Sequence, residues 1–421
     1  MTEALVSLWE ATAIPPPPTG PLPGDIEVDL VIVGAGFTGL SAALHAAQNS
    51  MRVAVLEQSD VGFGASGRNG GQVNPGIKLD PPDILTHYGK EAGERIIELS
   101  GAAPDYLFEL VARHGIDCQP VRGGWLLSAH KPAALAGLEV KARSWRARGV
   151  PLQMLDRNGV AQLLGTAQFP GGMLDPRGGA VQPLSLARGL ASAAISAGVS
   201  VYTKTKAVSL ARHGAFWHVK TDRGLVKARK IIVGTDGYTD KLVPRLNRSV
   251  IVANSLQLAT EDLPPGLAET ILPTDATASE TRRIVIYFRR FGQKFVLGGR
   301  GDSGPITHRG QFEHLRKTAL SLYPQLQEVN FKYHWAGQVG MTLDALPHLH
   351  EPEPGLLVAV GYNGRGVALS ISLGRELAQH AAESTNALSF PIAPIKTIPF
   401  HGLQNFYVAA GVAAYKLLDN L

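Results

Sequence analysis

The sequence predicts an α/β fold in which a mostly parallel sheet is interleaved with an antiparallel sheet. Three patterns support this prediction. A strand, a helix and a second strand lie between Asp29 and Glu57, successive strand patterns fill residues 199–235, and a hairpin pattern (IVIYFRR, FGQK, FVLGGR) spans residues 284–300. A length of 421 residues and a hydrophobic fraction of 45% are enough for two intergrown domains.

The charge and cysteine content argue against several classes of function. A net charge of +5 is small for this length, and the basic residues form no long tract of the kind found in nucleic-acid-binding proteins. The single cysteine, Cys118, rules out an intrachain disulfide and a thiolate metal cluster, which suits a reducing cytoplasm. No HExxH motif or cysteine–histidine ligand spacing occurs, so we expect no metal site.

Neither end of the chain reads as a membrane or targeting segment. Residues 1–24 lack the basic start and apolar core of a signal peptide, and four consecutive prolines predict an extended arm that packs on the body or acts as a spacer. The apolar segment 407–418 is too short for a membrane span and is predicted to be a docked terminal helix. We therefore expect a cytoplasmic protein with no membrane span.

The first element is a strand that runs into GAGFTG, followed by an alanine-rich helix and a second strand that ends in an acid. In this context the first glycine permits a tight turn, the second lets the backbone approach a pyrophosphate, and the third lets the helix pack on the strand. The free N–H groups of the helix N-terminus attract the phosphates, and the acid accepts hydrogen bonds from a ribose diol. No arginine is placed to bind a ribose 2′-phosphate. The predicted dinucleotide-binding residues are Gly34, Gly36, Phe37, Thr38, Gly39, Glu57 and Gln58.

A second glycine-rich stretch, GFGASGRNGGQV at residues 62–73, has five glycines and no apolar periodicity. A nicotinamide dehydrogenase would place a crossover helix here, whereas a loop without bulky side chains suits a cofactor with a wide, flat ring. FAD is therefore the predicted cofactor, and we expect it to be non-covalent. The spacing around Ser66 fails the GxSxG pattern of a serine nucleophile. The loop residues predicted to bind FAD are Gly64, Ala65, Ser66, Asn69, Gly70, Gly71 and Gln72.

The motifs GAGFTGLSAALHAA and VAVLEQSDVGFGASGRNGGQ resemble those of the D-amino acid oxidase superfamily of FAD enzymes, and within it the gamma-glutamylputrescine oxidase-like branch. The resemblance covers nearly the whole chain. It implies a Rossmann-like FAD domain of the glutathione reductase type, formed by residues 25–84, 151–239 and 331–421 after the proline-rich arm. It assigns residues 85–150 and 240–330 to an antiparallel substrate domain.

The resemblance also places further residues at the cofactor. It implies that the backbone near Val208 meets the adenine, the alternative for Val208 being a place in the strand core, and that the strand before Gly237 returns to the cofactor. Residues 335–347 resemble the family's segment beside the flavin. The glycine-rich turn GYNGRGVAL leads into a helix whose N-terminus is expected to stabilise negative charge on the reduced ring. Arg365 stands where relatives often have histidine and is either a pocket residue or a salt-bridge residue. The residues predicted from this turn are Gly364, Arg365, Gly366 and Val367.

The predicted function is oxidation of the C–N bond of an amine or amino-acid-derived substrate by hydride transfer to FAD, with oxygen or another electron acceptor. Aromatic faces suit a cationic or amine substrate and arginine suits a carboxylate. The candidate pocket residues are Tyr287, Arg289, Trp335, Tyr362 and Arg365, with core packing as the alternative for the aromatic residues. A non-catalytic flavoprotein subunit and a nicotinamide-dependent reductase remain alternative functions. The sequence does not specify the amine, the acceptor or the oligomeric state.

Overall fold

The computed structural model describes residues 5–301, 304–385, 387–404 and 408–409, so the predicted docked helix at 407–418 lies almost entirely outside it. Within these ranges no helix is both long and apolar enough to cross a membrane. The α-helices are α1 (Leu8–Thr12), α2 (Phe37–Gln48), α3 (Pro81–Arg113), α4 (Ala134–Arg146), α5 (Arg157–Leu164), α6 (Pro183–Ser196), α7 (Glu313–Leu322) and α8 (Gly366–Ala381).

The strands are short and many, as the turn-rich sequence predicts. They are β1 (Ile26–Val33), β2 (Val53–Leu56), β3 (Gln72–Val73), β4 (Trp125–Ser128), β5 (Gln153–Asp156), β6 (Gly171–Asp175), β7 (Gly179–Ala180), β8 (Ser200–Tyr202), β9 (Ala207–His213), β10 (Phe216–Thr221), β11 (Leu225–Val233), β12 (Ile251–Ala259), β13 (Thr277–Glu280), β14 (Tyr287–Phe291), β15 (Lys294–Arg300), β16 (Tyr333–Met341), β17 (His348–Glu353) and β18 (Leu356–Val360).

The first sheet is mostly parallel and has the order β17-β18-β11-β1-β2-β8, with β10 and β9 extending from β11 as an antiparallel meander. Strands β18, β11, β1, β2 and β8 run in the same direction. The chain therefore leaves Val33, Leu56, Val233 and Val360 at one common edge. Ligands of open α/β sheets bind at this edge, beyond the carboxyl ends of the strands.

Both faces of the first sheet are covered, which explains why its central strands are apolar without alternation. On β1, Leu30 and Ile32 pack into the cluster formed with α2, α6 and α8. The alternate residues Val31 and Val33 pack on the opposite face with the meander residue Trp217. The strand ends are thus held rigidly between two layers.

The second sheet has the order β16-β12-β15-β14-β13-β4-β6-β5 and is antiparallel except at the β4–β13 pair. The predicted hairpin is β14–β15, and Gly292 in its turn has a φ of +56°. Strands β5, β6 and β16 pair within this sheet, although the sequence assigned their segments to the FAD domain. The boundary between the sheets therefore differs from the predicted domain boundary at these three strands.

The segment HLH at residues 348–350 lies between prolines, and the sequence therefore predicts a surface loop. In the structure it forms part of the edge strand β17. It pairs antiparallel with β18, and His350 is buried with its Nδ1 2.7 Å from the carbonyl oxygen of Ala393. The prolines beside it are compatible with an edge strand, because one side of such a strand makes no ladder bonds. The prediction of a loop was therefore wrong.

The N-terminal arm packs against the body and is not a spacer. Leu8 and Trp9 in α1 are fully buried. The Val6 carbonyl accepts a hydrogen bond from the His334 N–H at 2.9 Å, and the Trp9 carbonyl accepts one from the Gln182 side chain at 2.9 Å. The Trp9 ring stands edge-on to the rings of Phe291 and Trp335, at centroid distances of 5.1 and 5.4 Å.

We expect Trp9→Ala to lower the free energy of unfolding by about 3–5 kcal/mol, the usual effect of removing a fully buried aromatic side chain. Val6→Ala is the matched control, since Val6 lies on the same arm but is 42% exposed, and its effect should stay below about 1 kcal/mol. Urea unfolding followed by circular dichroism measures both. Equal effects would show that the arm is not part of the cooperative core.

Candidate active site

The GAGFTG turn joins β1 to α2, and its glycines have very little space for a side chain. Gly34 has a φ of +105°, and Gly36 is the residue immediately before the helix. A Cβ on Gly39 would lie 2.0 Å from the Gly34 carbonyl oxygen, and a Cβ on Gly36 would lie 2.9 Å from Ser66 Oγ. Ser66 Oγ in turn accepts the Phe37 N–H at 2.9 Å, so the second glycine-rich loop is fixed to the helix N-terminus. The glycines are therefore required by backbone contact.

Glu57 follows β2 at the same sheet edge. Its Oε2 accepts the Ala35 N–H at 2.9 Å and its Oε1 accepts the Ser59 N–H at 2.8 Å. Burial raises its pKa, and these two hydrogen bonds oppose that shift. Each carboxylate oxygen has further lone-pair capacity, so the side chain is oriented and can still accept hydroxyl donors of a ribose.

A cleft opens beyond the carboxyl ends of the parallel strands. It contains about 1330 Å³ not filled by protein atoms, part of it open to solvent. Among the predicted cofactor residues, those that line the cleft are Gly34, Gly36, Phe37, Thr38, Glu57, Gln58, Gly64, Ala65, Ser66, Asn69, Gly364, Gly366 and Val367.

Asp236 is a cleft residue that the sequence reasoning did not select. It has a φ of +39°, and its Oδ1 accepts the Gly361 N–H at 2.7 Å while its Oδ2 lies 3.4 Å from the Gly340 nitrogen. Burial raises its pKa. Asp236 thus joins the ends of β11, β16 and β18. An acid within GTDG after a buried strand was the available signal.

Val208 and Gly237 are among the predicted cofactor residues that do not line the cleft. Val208 is 47% exposed, whereas its neighbours Lys206 and Ala207 line the cleft. The backbone beside Val208 thus reaches the cleft, and its contact with the adenine stays a prediction. A Cβ on Gly237 would lie 2.9 Å from the Gly340 nitrogen, so Gly237 supports β16.

Arg289 has a different role from the one predicted. Its Nε donates to the Gly70 carbonyl at 2.8 Å, its Nη2 donates to the Val181 carbonyl at 2.7 Å, and its guanidinium lies over the Trp9 ring. The residue is only 3% exposed, and burial lowers its pKa to about 9. Arg289 therefore holds the glycine-rich loop, and two of its donors are committed to backbone carbonyls.

The two aromatic candidates of the second sheet also lie beside this loop. The Trp335 indole N–H donates to the Arg68 carbonyl at 3.0 Å, and the side chain is buried. The Tyr287 hydroxyl is 2.5 Å from that of Ser255, and a Cβ on Gly70 would lie 2.8 Å from the Tyr287 ring. Because Tyr287 is partly accessible, it stays a pocket candidate, whereas Trp335 supports the loop.

The end of the loop is anchored to the second sheet. Gly71 has a φ of +68°, and a Cβ there would lie 2.2 Å from the Val181 carbonyl oxygen. The Gln72 side chain is buried, donates to the carbonyls of Ala278 and Phe288 at 2.9 and 3.1 Å, and accepts the Ser279 hydroxyl at 3.1 Å. Gly71 and Gln72 thus fix the path of the loop through protein contacts.

The side chains of Tyr362 and Arg365 make different contacts, although both residues lie in the turn after β18. The Tyr362 hydroxyl is 2.7 Å from that of Thr38, and Tyr362 lines the cofactor cleft. Arg365 points to the other side, where its Nη1 donates to the Pro75 carbonyl at 3.0 Å and its guanidinium lies 4.5 Å from the ring centre of Trp125. Burial lowers its pKa to about 10.

The cysteine is remote from this chemistry. Cys118 is fully buried, and burial raises the pKa of its thiol to about 12. Among the residues that the structure describes, no group of three or more histidine, cysteine and acidic side chains is arranged to hold a metal ion.

The strand-end cleft, the glycine turn and the oriented acid define a dinucleotide-binding α/β protein. The chain belongs to the DAO family of FAD dependent oxidoreductases, which it matches over residues 29–380. It is 32% identical to gamma-glutamylputrescine oxidoreductase of Escherichia coli, with 100% of both chains covered. It is 29% identical to the probable oxidoreductase OrdL of Haemophilus influenzae, over 93% of this chain and 92% of that one.

A solved structure supports the fold. Glycine oxidase from Geobacillus kaustophilus superposes with a TM-score of 0.74 at 24% identity, covering 89% of this chain and 99% of that chain. The predicted family, fold class and cofactor are therefore confirmed. The cleft fits FAD, because Gly34 and Gly36 line it at the N-terminus of α2, where a pyrophosphate would bind, and Glu57 is oriented for a ribose. Gly64, Ala65, Ser66 and Asn69 of the glycine-rich loop also line it.

We expect Gly39→Ala to weaken FAD binding by about tenfold or more, since overpacking costs about 1–3 kcal/mol and the added methyl would displace α2 from the Gly34 carbonyl. FAD titration of the apoprotein measures the affinity. Gly137→Ala is the control, because Gly137 is exposed on α4 and a Cβ there meets nothing within 4 Å. Equal FAD affinity in the two variants would contradict the close-contact role of Gly39.

Glu57→Ala should weaken FAD binding by removing charge-assisted hydrogen bonds worth about 1.5–3 kcal/mol. Thermal unfolding of the apoprotein reports separately the loss of the bonds to Ala35 and Ser59. The matched control is Asp60→Ala, an exposed acid three residues further on that pairs with Lys204. Unchanged FAD affinity in Glu57→Ala would refute the ribose role.

Proposed function

We propose that the protein oxidises the C–N bond of an amine or amino-acid-derived substrate. The observation that carries the proposal is the full-length similarity to gamma-glutamylputrescine oxidoreductase. The glycine-rich loop supports it, because the loop is held so that one side is packed by protein and the other is left for a flat ring. An amine substrate would bind beside the loop, next to the accessible edge of Tyr287.

FAD, when bound, supplies an acceptor at N5 for the hydride released from the carbon next to nitrogen. The role of the chain is to position the neutral amine and to exclude water from it. The resulting imine hydrolyses to an aldehyde or keto acid plus an amine or ammonia. Loss of the amine proton to solvent before hydride transfer removes the need for a protein base, so no side chain is assigned that role.

The preferred substrates carry an anionic group, as in a γ-glutamylated diamine or an N-alkyl amino acid. Arginine binds a carboxylate through two parallel hydrogen bonds. Arg289 is committed to backbone carbonyls. Arg290 donates to the Ala268 carbonyl at 2.9 Å and also lies 3.8 Å from the Asp275 carboxylate. Arg365, whose one side-chain hydrogen bond among the described residues is to the Pro75 carbonyl, is therefore the arginine that supports this preference.

The experiment is anaerobic mixing of the FAD-loaded protein with γ-glutamylputrescine, putrescine, N-alkyl amino acids and free amino acids, followed by visible absorbance. We expect at least one carboxylate-bearing amine to bleach the flavin. The binding free energy of its carboxamide analogue should be less favourable by about 2–5 kcal/mol. A flavin that no amine reduces would instead indicate an accessory flavoprotein. Reduction by a nicotinamide nucleotide alone would indicate a reductase.

A further inference from the structure

A second cavity lies in the groove between α3 and α8. It contains about 930 Å³ not filled by protein atoms, part of it open to solvent. One wall is a single face of α3, where the lining residues recur every three or four positions, and the other includes Ser372, Arg375 and Glu376 at positions i, i+3 and i+4 of α8. The cofactor cleft is lined instead by the first residues of α8, such as Gly366 and Val367. The two cavities therefore share a helix but no lining residue.

Three of the six charged side chains that line this groove cavity already have protein partners. Arg95 and Asp105 each form an ion pair with a residue outside the cavity lining. The Glu376 carboxylate accepts the Ser389 N–H at 3.1 Å and the Ser389 hydroxyl at 2.5 Å. These three side chains belong to the wall of the cavity and leave the other three charges to be explained.

The other three charged residues are Glu98, Glu109 and Arg375. Among the described residues, none of them has an oppositely charged group within 4.0 Å. Both glutamates are exposed. They lie 11 residues apart on α3, which places them about 16 Å apart along the helix axis. One small cation therefore cannot contact both carboxylates, whereas a molecule with two separated cations can.

Arg375 lies over a ring that is itself held in place. Its guanidinium carbon is 4.0 Å from the centroid of Tyr106, and the Tyr106 hydroxyl is 2.5 Å from His45 Nε2. His45 Nδ1 lies 2.7 Å from the Ser41 carbonyl oxygen, which can only accept, so Nδ1 carries the proton and Nε2 accepts from the tyrosine. Burial lowers the pKa of His45 to about 4, which keeps its ring neutral. A guanidinium fixed in this way, without an ion pair, keeps donors for a carboxylate.

Ser372 gives independent evidence for a ligand. The residue is only 1% exposed and lines the groove cavity, and its Oγ has no hydrogen-bond partner among the described residues. A buried hydroxyl is costly to leave without a partner, and most such groups in folded proteins are paired. Ser372 lies three residues before Arg375 on the same face of α8, so one bound group can contact both side chains.

We propose that the groove cavity binds a free basic amino acid, which carries a carboxylate, an α-ammonium and a distal ammonium. The carboxylate pairs with Arg375 and accepts the Ser372 hydroxyl. The α-ammonium pairs with Glu109, which lies about one turn of α3 beyond Tyr106, and the distal ammonium extends along the groove to Glu98. One positive and two negative protein charges thus meet their complements. The site is separate from the cofactor cleft, and the inference does not rest on the proposed reaction.

The test is titration calorimetry of the FAD-loaded protein with three compounds in the absence of oxygen. L-Lysine has all three charged groups, cadaverine lacks the carboxylate, and 6-aminohexanoate lacks the α-ammonium. We expect lysine to bind about tenfold more tightly than either of the others, because each truncated compound leaves one protein charge without its partner. Equal affinity for the three compounds would contradict the proposed arrangement.

Two charge-removing variants assign the groups of the ligand to their partners. Arg375→Gln should weaken lysine binding about tenfold and leave cadaverine binding unchanged, because cadaverine has no carboxylate. Glu109→Gln should weaken lysine binding about tenfold and leave 6-aminohexanoate binding unchanged. The matched control is Arg223→Gln, since Arg223 is an exposed arginine in the turn between β10 and β11, and it should bind lysine like the unaltered protein.

Ser372→Ala separates a ligand contact from a structural role. The hydroxyl has no hydrogen bond to lose within the described protein, so the melting temperature of the ligand-free variant should equal or exceed that of the unaltered protein. Its affinity for lysine should fall about fivefold, because one hydrogen bond to the carboxylate is removed. A lower melting temperature together with unchanged lysine binding would show that the hydroxyl serves the fold.

Two results would overturn the site outright. One is that lysine does not bind to the unaltered protein. The other is that lysine binds equally well to Arg375→Gln, Glu109→Gln and Ser372→Ala, since the ligand then occupies another part of the protein. Glu109 is exposed, so Glu109→Gln remains informative even if Arg375→Gln fails to fold. Because binding is measured by heat and not by flavin reduction, these results stand whether or not the protein oxidises an amine.

Discussion

The structure depends on how the carbonyls of the loop at residues 62–73 are satisfied. A loop built from glycine has few side chains with which to pack, and its backbone groups must still find partners. Three consecutive carbonyls receive side-chain donors from behind. Arg68 accepts from the Trp335 indole and the Gln257 amide, Asn69 accepts from the Trp9 indole, and Gly70 accepts from the Arg289 guanidinium. One side of the loop is therefore saturated by the protein, and the other is left for the ring of FAD.

This arrangement explains the buried guanidinium of Arg289. Transferring a cation out of water is costly unless its donors are paired, and here the partners are two backbone carbonyls and the faces of Trp9 and Phe291. Lysine could not replace it, because the planar guanidinium points its donors along two fixed directions and also stacks on a ring. The N-terminal arm is then part of the cofactor site, since Trp9 contacts both the arginine and the loop.

Local backbone requirements could be predicted from the sequence, whereas the hydrogen-bond partners of long side chains could not. The GAGFTG turn, Glu57 and the loop have fixed spacings that follow from backbone geometry, so most of those residues line the cleft. Arg289 and Trp335 show the limit. Residue type tells that a side chain has donors, but whether it faces a pocket or a buried carbonyl depends on residues far away in the chain. The bond of Arg289 to Gly70 spans 219 residues, and that of Trp335 to Arg68 spans 267.

The end of the cofactor loop and Arg365 are connected through two hydrogen bonds and a ring contact. Gln72 ends the loop and accepts the Ser279 hydroxyl, and Ser279 Oγ accepts the indole N–H of Trp125. Trp125 carries Arg365 on its face. Since buried polar groups that lose a partner cost about 1–3 kcal/mol, each member of this chain fixes the next. The distance between the end of the loop and Arg365 is thus set by contacts in the second sheet.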